Sequence, residues 1–323
     1  MTNDSLAARR AAWADYWASG ALHSCPGSRA GNYGGAIGAF WDCRIAGIPT
    51  DARILDVATG NGALPLRLWQ SRGDAVHVDA IDFAPPAPGW HQPGVHPRIR
   101  FHGGVDMTSL PFEAASFDIV CSQYGIEYGM RPHALDEALR VLRRSGRLWL
   151  VLHHAGSELV DVARAEEGAY DWLSQEGGLL SAASRMAHWL AVAHGGGALP
   201  AAANDAREGY NRLLRECGAL HGQARPRGLA VDVVQAIHSA LGLASQGRAE
   251  EAQDALARYR GDLARARLRG GELVSHALSA EDIRDWSARI SSVWPQAEVA
   301  CDVLRQQEGI VGWALTAEAR QAG

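Results

Sequence analysis

The stretch Arg53-Ile-Leu-Asp-Val-Ala-Thr-Gly-Asn-Gly-Ala-Leu-Pro-Leu-Arg-Leu-Trp69 decides how this chain folds. The short apolar run 54–57 predicts a buried strand, and Gly60 and Gly62 predict a tight turn directly after it. The leucines at alternate positions from Leu64 then open a predicted helix. A strand, a glycine turn and a helix in this order are typical of the first unit of a parallel sheet.

Further strand-like and helix-like segments alternate along the chain. A helix is predicted over 134–143, where apolar residues recur at helical spacing. A second helix is predicted after Leu278, with Ser279 as its N-cap and Asp282 in its first turn. The pattern predicts an α/β fold with a doubly wound, mostly parallel, seven-stranded sheet covered on both faces. The other predicted strands are 75–82, 99–102, 116–122 and 146–153, with a final antiparallel pair at 298–303 and 310–316.

The remaining segments divide the chain into three parts. Residues 1–47 are rich in Trp and Tyr and too short for a core of their own, so they are predicted to form a helical lid. Residues 48–157 and 276–323 form the α/β core. Residues 158–275 lack strand-like segments and predict an insertion of about four helices, separated by glycines at 195–197, by Pro226 and by Gly270-Gly271. This insertion is expected to cap the binding site for a second substrate.

Composition excludes several classes of protein. The chain has 323 residues, 47% of them hydrophobic, and a formal net charge of −5. All 31 basic residues are arginines, which excludes chemistry that needs a lysine amine. The near-neutral charge argues against nucleic-acid binding. No apolar run reaches the ~20 residues of a membrane span, and no secretion signal is evident. The five scattered cysteines are typical of reduced thiols in the cytoplasm.

The glycine turn predicts a nucleotide-like ligand. An acid at the end of the second strand, Asp82, lies 22 positions beyond Gly60, near the ~20 expected for a carboxylate that binds ribose hydroxyls. Two residues disfavour a dinucleotide. Pro65 stands where the dinucleotide fingerprint needs a small residue, and Asp56 at the strand end would repel a pyrophosphate. A cationic adenosyl ligand fits better.

The chain resembles the class I S-adenosylmethionine-dependent methyltransferases. The resemblance covers about residues 50–157 and 276–323 and rests on several motifs in order. They are Leu55-Asp-Val-Ala-Thr-Gly-Asn-Gly62, Val78-Asp-Ala-Ile-Asp82, Gly104-Val-Asp-Met-Thr-Ser-Leu-Pro-Phe112, Ser116-Phe-Asp-Ile-Val-Cys-Ser122 and Arg140-Val-Leu-Arg-Arg-Ser-Gly-Arg-Leu148. The resemblance implies S-adenosylmethionine as cofactor and S-adenosylhomocysteine as product.

The same resemblance implies roles for individual cofactor-binding residues. Asp82 would hold the ribose diol and Asp106 the adenine amino group. Tyr33, followed by glycines, resembles a lid residue on the cofactor side. Phe83 fits adenine packing or an ordinary core equally well. The remaining implied contacts surround the methionine part and the ring: Asp56, Ala58, Gly60, Gly62, Met107, Ser122 and Gln123.

Two segments that follow strands four and five are candidates for the acceptor site. Neutral imidazole can take a proton near pH 7, so His153 and His154 are candidate catalytic bases, although either could instead cap the next helix. Metal use is not expected, because Gln123 and these histidines stand where metal-dependent relatives of the class have acids. The candidate acceptor-binding residues are Tyr124, Glu127, Tyr128, Trp17 and His23.

The sequence therefore predicts a cytoplasmic methyltransferase that acts at oxygen or nitrogen of a small molecule, a natural product or a peptide. An insertion of over a hundred residues exceeds what a very small acceptor needs. The alternatives are a peptide carboxyl O-methyltransferase of a biosynthetic pathway, a nicotinamide-dependent oxidoreductase, and a non-catalytic binder of an adenosyl ligand. No nucleic acid or membrane partner is expected, and a homodimer remains open.

Overall fold

A seven-stranded sheet forms the centre of the larger of two compact units. The computed structural model describes residues 3–25, 28–29, 31–129, 132–221, 227–307 and 309–320. Its strands are β1 Ala52–Val57, β2 Val76–Asp82, β3 Ile99–Gly103, β4 Phe117–Gln123, β5 Leu142–Leu152, β6 Ala297–Gln306 and β7 Gly309–Ala319. The spatial order is β3-β2-β1-β4-β5-β7-β6. The first five strands run parallel, and β7 is antiparallel to both β5 and β6, which confirms the predicted fold class.

The described residues form ten α-helices, and those of the first unit cover both faces of the sheet. The first five are α1 Asn3–Ala18, α2 Gly35–Ala46, α3 Ala63–Arg72, α4 His133–Val141 and α5 Glu158–Ser174. The others are α6 Leu179–His194, α7 Ala201–His221, α8 Arg227–Ser245, α9 Ala249–His276 and α10 Ala280–Val293. Residues 1–160 and 272–323 form the unit that contains the sheet, and residues 161–271 form a second, helical unit.

Alternate residues of β1 pack into different halves of the core. Leu55 and Val57 pack with residues of α4 and α10, such as Leu135 and Trp286. Ile54 faces the other way, where α2 and α3 contribute Phe40, Trp41, Leu64 and Leu68. A strand that is buried on both faces needs apolar residues at nearly every position, which is why this strand reads as a continuous apolar run.

The boundary between α4 and β5 differs from the prediction. The helix ends at Val141, two residues early, and the strand begins at Leu142 instead of residue 146. Leu142 pairs with Phe117, whereas Arg147 pairs with Ile119, so the register shifts by three residues between these pairs. Periodicity did not reveal this irregular start because the intervening residues are polar and follow no regular alternation.

The helical unit contains parts of five described helices, α5 to α9, and not four. Gly270-Gly271 was expected to end a helix, but α9 continues through both glycines to His276. A glycine costs about 1 kcal/mol relative to alanine in a helix interior, and a helix of 28 residues can carry that cost. The expected break at Pro226 lies outside the described residues. Leu179, Ile237 and Leu256 are among the buried residues of this unit's own core.

One segment of the described residues, Gly228–Ser245, is long and apolar enough to cross a membrane by length and composition. Its buried residues, Val233, Ile237, Ala240 and Ala244, share one helix face and belong to the core of the helical unit. A core helix of a soluble protein passes the same test, so this feature decides nothing about location.

The start of α10 confirms its predicted cap. The Ser279 hydroxyl accepts a hydrogen bond from the Asp282 N–H at 3.2 Å, and the Asp282 carboxylate accepts one from the Ser279 N–H at 2.8 Å. This reciprocal pair satisfies two N–H groups that have no partner within the helix.

We expect Ser279→Ala to lower the free energy of unfolding by about 1 kcal/mol, because an N-cap is lost. The measurement is urea unfolding followed by circular dichroism in the far ultraviolet. Ser291→Ala is the matched control, since the exposed Ser291 hydroxyl only donates to Ser287 O within the same helix. Equal midpoints for the two variants would contradict the role of the cap.

Candidate active site

A cleft opens where the carboxyl ends of β1, β2 and β4 meet, and α1 covers one side of it. Ligands of doubly wound sheets bind at this edge. The lining residues are Arg9, Trp13, Trp17, His23, Ser24, Tyr33, Asp56, Ala58, Thr59, Ala63, Leu64, Asp82, Phe83, Ala84, Met107, Gln123, Tyr124, Gly125 and Tyr128.

The turn after β1 needs glycine at the two predicted positions. Gly60 has φ +56 and Gly62 has φ +77, a left-handed backbone that glycine adopts without steric cost. A Cβ at Gly60 would lie 2.6 Å from the Trp17 ring, and one at Gly62 would lie 2.5 Å from the Phe101 ring. Gly60 is therefore covered by α1, while Gly62 lets the turn pack against β3. Ala58 lines the cleft with φ +57, which is a strained conformation for alanine.

Asp82 joins the ends of β1 and β2. Its Oδ2 accepts a hydrogen bond from the Gly60 N–H and its Oδ1 accepts one from the Ala84 N–H, both at 2.8 Å. Burial raises the pKa of this carboxyl to about 6, although the two N–H donors and the nearby Arg9 charge oppose the rise. Each carboxylate oxygen has a second lone pair, so Asp82 can still accept from two ribose hydroxyls.

Four buried polar atoms of the cleft residues have no hydrogen-bond partner among the described residues: Nε1 of Trp17, Oδ2 of Asp56, Oγ1 of Thr59 and Nε2 of Gln123. Asp56 lies at the end of β1 and Gln123 at the end of β4. The Oε1 atom of Gln123 accepts from Trp41 Nε1 at 2.6 Å, so Nε2 is the free end of this amide. Burial raises the pKa of Asp56 to about 7, and the neighbouring Asp82 adds to the rise. A carboxylate oxygen and an amide N–H without partners match the ammonium and carboxylate of an amino acid.

The other predicted cofactor residues are divided between the cleft and the scaffold. Phe83 and Met107 line the cleft. Asp106 is exposed and does not line the cleft. Its Oδ1 accepts hydrogen bonds from the Thr108 N–H and hydroxyl. The Ser122 hydroxyl is fully buried, donates to Val57 O and accepts from the Ile126 N–H. This serine therefore links β4 to β1 and does not line the cleft.

Further aromatic residues line the same cleft, and Tyr33, which the sequence predicts on the cofactor side, is one of them. Tyr33 stacks on His23 with ring centroids 4.1 Å apart, and both are buried. Burial lowers the pKa of His23, so its ring is neutral at pH 7. Tyr124 has φ +55, a strained backbone for a bulky residue, and its hydroxyl donates to Val311 O. Tyr128 stacks on His276 at 5.1 Å.

Glu127 and His153 form a buried pair beside Tyr124 and Tyr128. The Oε1 atom of Glu127 is 2.8 Å from His153 Nδ1 and also accepts from the His153 backbone N–H at 2.8 Å. The imidazole stacks on Tyr124 at 4.2 Å and meets Tyr128 edge-on at 5.7 Å. The carboxylate fixes the proton of the neutral ring on Nδ1, which leaves Nε2 as the basic atom. Neither residue lines the cleft itself, although the two tyrosines do.

His154 lies in a different environment. Its Nδ1 accepts a hydrogen bond from the Gly156 N–H at 2.8 Å, and its ring stacks on Trp313 at 4.3 Å. Partial burial and the charge of Arg305 lower its pKa. This histidine is not among the described residues that line the cleft, and its contacts are those of a turn residue.

Arg9 also lines the cleft, although no sequence motif predicted it there. Its guanidinium pairs with Glu272 at 2.7 Å and donates to Tyr128 O at 3.0 Å. Arg9, Trp13 and Trp17 are four residues apart, so they share one face of α1, and all three line the cleft. Extending the Trp13–Trp17 spacing back by one turn would have found the arginine.

Comparison with known proteins identifies the α/β core. The family described as "Methyltransferase domain" matches residues 54–146. This range contains the glycine turn, Asp82 and the Glu127 segment. Residues 54–146 are therefore similar to a methyltransferase domain, and this match covers less than a third of the chain.

Curated relatives of the methyltransferase domain include quinone-modifying enzymes. The chain is 35% identical over 115 residues to the ubiquinone/menaquinone biosynthesis C-methyltransferase UbiE of Rhizobium meliloti, covering 34% of this chain and 44% of that protein. It is 38% identical over 100 residues to the demethylmenaquinone methyltransferase of Thermus thermophilus, covering 30% and 44%. The matches span less than half the length of each of these two relatives.

Solved structures of methyltransferases are similar at lower identity. One is the Burkholderia thailandensis 1,6-didemethyltoxoflavin-N1-methyltransferase, with a TM-score of 0.38, 17% identity and coverage of 48% of this chain and 65% of that one. Another is the geranyl diphosphate C-methyltransferase of Streptomyces coelicolor, with a TM-score of 0.34, 17% identity and coverage of 41% and 50%.

We expect the affinity for S-adenosylhomocysteine to fall as the pH drops below 7. The raised pKa of Asp56 means that its carboxyl is protonated below that pH in the free protein, and a neutral carboxyl cannot pair with the ligand's ammonium. The expected loss approaches about tenfold per pH unit. The measurement is titration calorimetry between pH 5.5 and 8.5.

The control ligand is 5′-methylthioadenosine, which lacks the amino acid part, so any pH dependence that it shows comes from Asp82 and other groups. Asp56→Asn should remove the extra pH dependence of S-adenosylhomocysteine. An affinity ratio between the two ligands that stays constant over this range would contradict the assignment of Asp56 to the ammonium.

Proposed function

We propose that the chain transfers the methyl group of S-adenosylmethionine to a small-molecule acceptor. The observation that carries the proposal is that the unpartnered buried atoms of the cleft include a carboxylate oxygen, Asp56 Oδ2, and an amide nitrogen, Gln123 Nε2. Together with the Asp82 carboxylate, they match the ammonium, carboxylate and ribose hydroxyls of this cofactor. When bound, the cofactor supplies an activated methyl group on a sulfonium. The protein itself has to orient the acceptor, exclude water and take up any proton that is released.

The acceptor side of the cleft favours a flat, apolar molecule. Trp13, Tyr124 and Tyr128 present aromatic faces and edges, which pack well against a planar ring. The enclosing α1 reduces the access of water. Oxygen or nitrogen of such a molecule is the expected methylation site, in an enzyme of the cytoplasm.

The Glu127–His153 pair is proposed to handle the proton. The carboxylate holds the imidazole with Nε2 as its basic atom, and no described residue bonds to that nitrogen. A phenolic or amine acceptor has to lose a proton when it gains a methyl group, and His153 Nε2 would accept it. A carboxylate acceptor has no such proton to lose, so the presence of the pair favours a phenol or an amine.

Methylation at ring carbon is a second candidate. The quinone C-methyltransferases among the relatives support it, and the aromatic lining suits the ring of a reduced quinone. A base near the cleft fits this chemistry as well, because a hydroxylated ring becomes nucleophilic at carbon once its hydroxyl is deprotonated.

Incubating the protein with methyl-labelled S-adenosylmethionine and an extract of the source organism should transfer label to the small-molecule fraction. Mass spectrometry of the product then locates the methyl group on oxygen, nitrogen or carbon. Label in the peptide fraction would favour the peptide carboxyl O-methyltransferase instead. An excess of unlabelled S-adenosylhomocysteine is the control, because it should suppress transfer. No transfer to any fraction would contradict the proposed activity and favour a non-catalytic binder.

We expect His153→Ala to lower turnover by about 10²-fold or more, as is typical when a general base is lost, without changing the affinity for S-adenosylhomocysteine. The measurement is the initial rate with the identified acceptor, together with calorimetry. His154→Ala is the matched control and should retain its rate within about twofold, because its ring packs on Trp313. A wild-type rate in His153→Ala would remove the base from the mechanism.

A further inference from the structure

Trp17, on the N-terminal helix, carries a buried donor that nothing in the described structure uses. Its side chain is 6% exposed and lines the cleft, yet its indole Nε1 has no acceptor among the described residues. An unpaired N–H in a buried site costs about 1–3 kcal/mol, so such a group indicates a missing partner. The sequence predicts Trp17 as an acceptor-binding residue instead.

The position of the ring is fixed from both sides. It stacks against Trp13 with centroids 5.7 Å apart and meets Tyr16 edge-on at 5.0 Å. On its other side it lies against the backbone of Gly60, where any Cβ would clash with it. Asn61 of the same turn donates from Nδ2 to Trp17 O and to Ala21 O, at 2.8 and 2.7 Å. The indole is therefore held in place before any ligand arrives.

The unpartnered atoms of the cleft form a chemical set. Asp56 Oδ2 is an acceptor at the end of β1, Gln123 Nε2 is a donor at the end of β4, and Trp17 Nε1 is a donor on a ring that packs against the turn after β1. The hydroxyl of Thr59 in that turn is also unpartnered and can either donate or accept. One anionic acceptor, two N–H donors and a hydroxyl match a zwitterion, whose ammonium needs acceptors and whose carboxylate needs donors. Asp82, at the end of β2, has backbone donors on both oxygens and is left for the ribose.

No arginine competes for the ligand's carboxylate. Arg9 is the only arginine among the described residues that line the cleft. It is paired with Glu272 at 2.7 Å and lies 6.0 Å from the Phe83 ring and 5.9 Å from the Tyr128 ring. The carboxylate is then left to neutral N–H donors.

We infer that the indole N–H of Trp17 donates a hydrogen bond to the carboxylate of the cofactor's methionine part, so that α1 recognises the amino acid end of the ligand. This assignment rests on the proposed function. It makes Trp17 a cofactor-binding residue, and it gives the N-terminal helix a direct part in selecting ligands that carry an amino acid over ligands that carry only the adenosyl group.

The test compares two ligands on two variants by titration calorimetry. The ligands are S-adenosylhomocysteine and its decarboxylated analogue, which keeps the ammonium. Trp17→Phe keeps an aromatic ring but removes the N–H, so it should bind S-adenosylhomocysteine about tenfold more weakly and the analogue within about twofold of wild type. Trp69→Phe is the matched control, since Trp69 on α3 packs edge-on against His96 and does not line the cleft, and it should leave the ratio of the two affinities unchanged.

Equal weakening of both ligands by Trp17→Phe, or no weakening of either, would overturn the inference. Wild-type protein alone gives a second test, because equal affinity for the two ligands would show that the carboxylate has no donor. If wild-type protein does not bind S-adenosylhomocysteine at all, the proposed function fails. If it binds and the affinity ratio does not change in Trp17→Phe, only the assignment of Trp17 fails.

Discussion

The Asp82 carboxylate holds together the edge of the sheet on which the site depends. It accepts hydrogen bonds from the Gly60 and Ala84 N–H groups and thereby ties the turn after β1 to the end of β2. A buried carboxylate is unfavourable unless hydrogen bonds compensate it, and here the compensating donors belong to the turn that shapes the cleft. Its remaining lone pairs face the place where the cofactor's ribose is expected. One side chain therefore shapes the turn and supports the proposed binding.

The covering of the cleft depends on contacts between distant parts of the chain. Asn61 anchors the carboxyl end of α1 to the glycine turn through Trp17 O and Ala21 O. Glu272, near the end of α9, binds both Arg9 and Trp13. Because the Arg9–Glu272 pair is mostly buried and is supported by a further hydrogen bond, it constrains α1 more than an exposed ion pair would. Glu272 thus helps to hold α1, with its cleft-lining residues Arg9 and Trp13, in place.

The chemical asymmetry of the site follows from how its polar groups are satisfied. On the cofactor side, Asp56 and Gln123 each keep one buried atom without a partner, and a zwitterionic ligand would supply the missing bonds. On the acceptor side, the Tyr124 hydroxyl and Glu127 Oε1 have protein partners. Glu127 Oε2 has none among the described residues, but Glu127 does not line the cleft, so specificity there depends on aromatic packing and on a single imidazole. This division favours tight, polar recognition of the cofactor and looser, shape-based recognition of the acceptor.

Local sequence patterns predicted the strands of the α/β core, the glycine turn, the acid after β2 and the cap of α10, because each is encoded by residues within about twenty positions of one another. Only the tertiary structure decided that Glu127 meets His153, that Arg9 meets Glu272, and that Trp17 lies over Gly60 with an unused donor. The structure also separated Ser122 and Asp106 from the cleft, although the motif resemblance included them. The physical reason is that periodicity specifies which face of an element is buried, whereas the partner of a side chain depends on which distant element packs against that face.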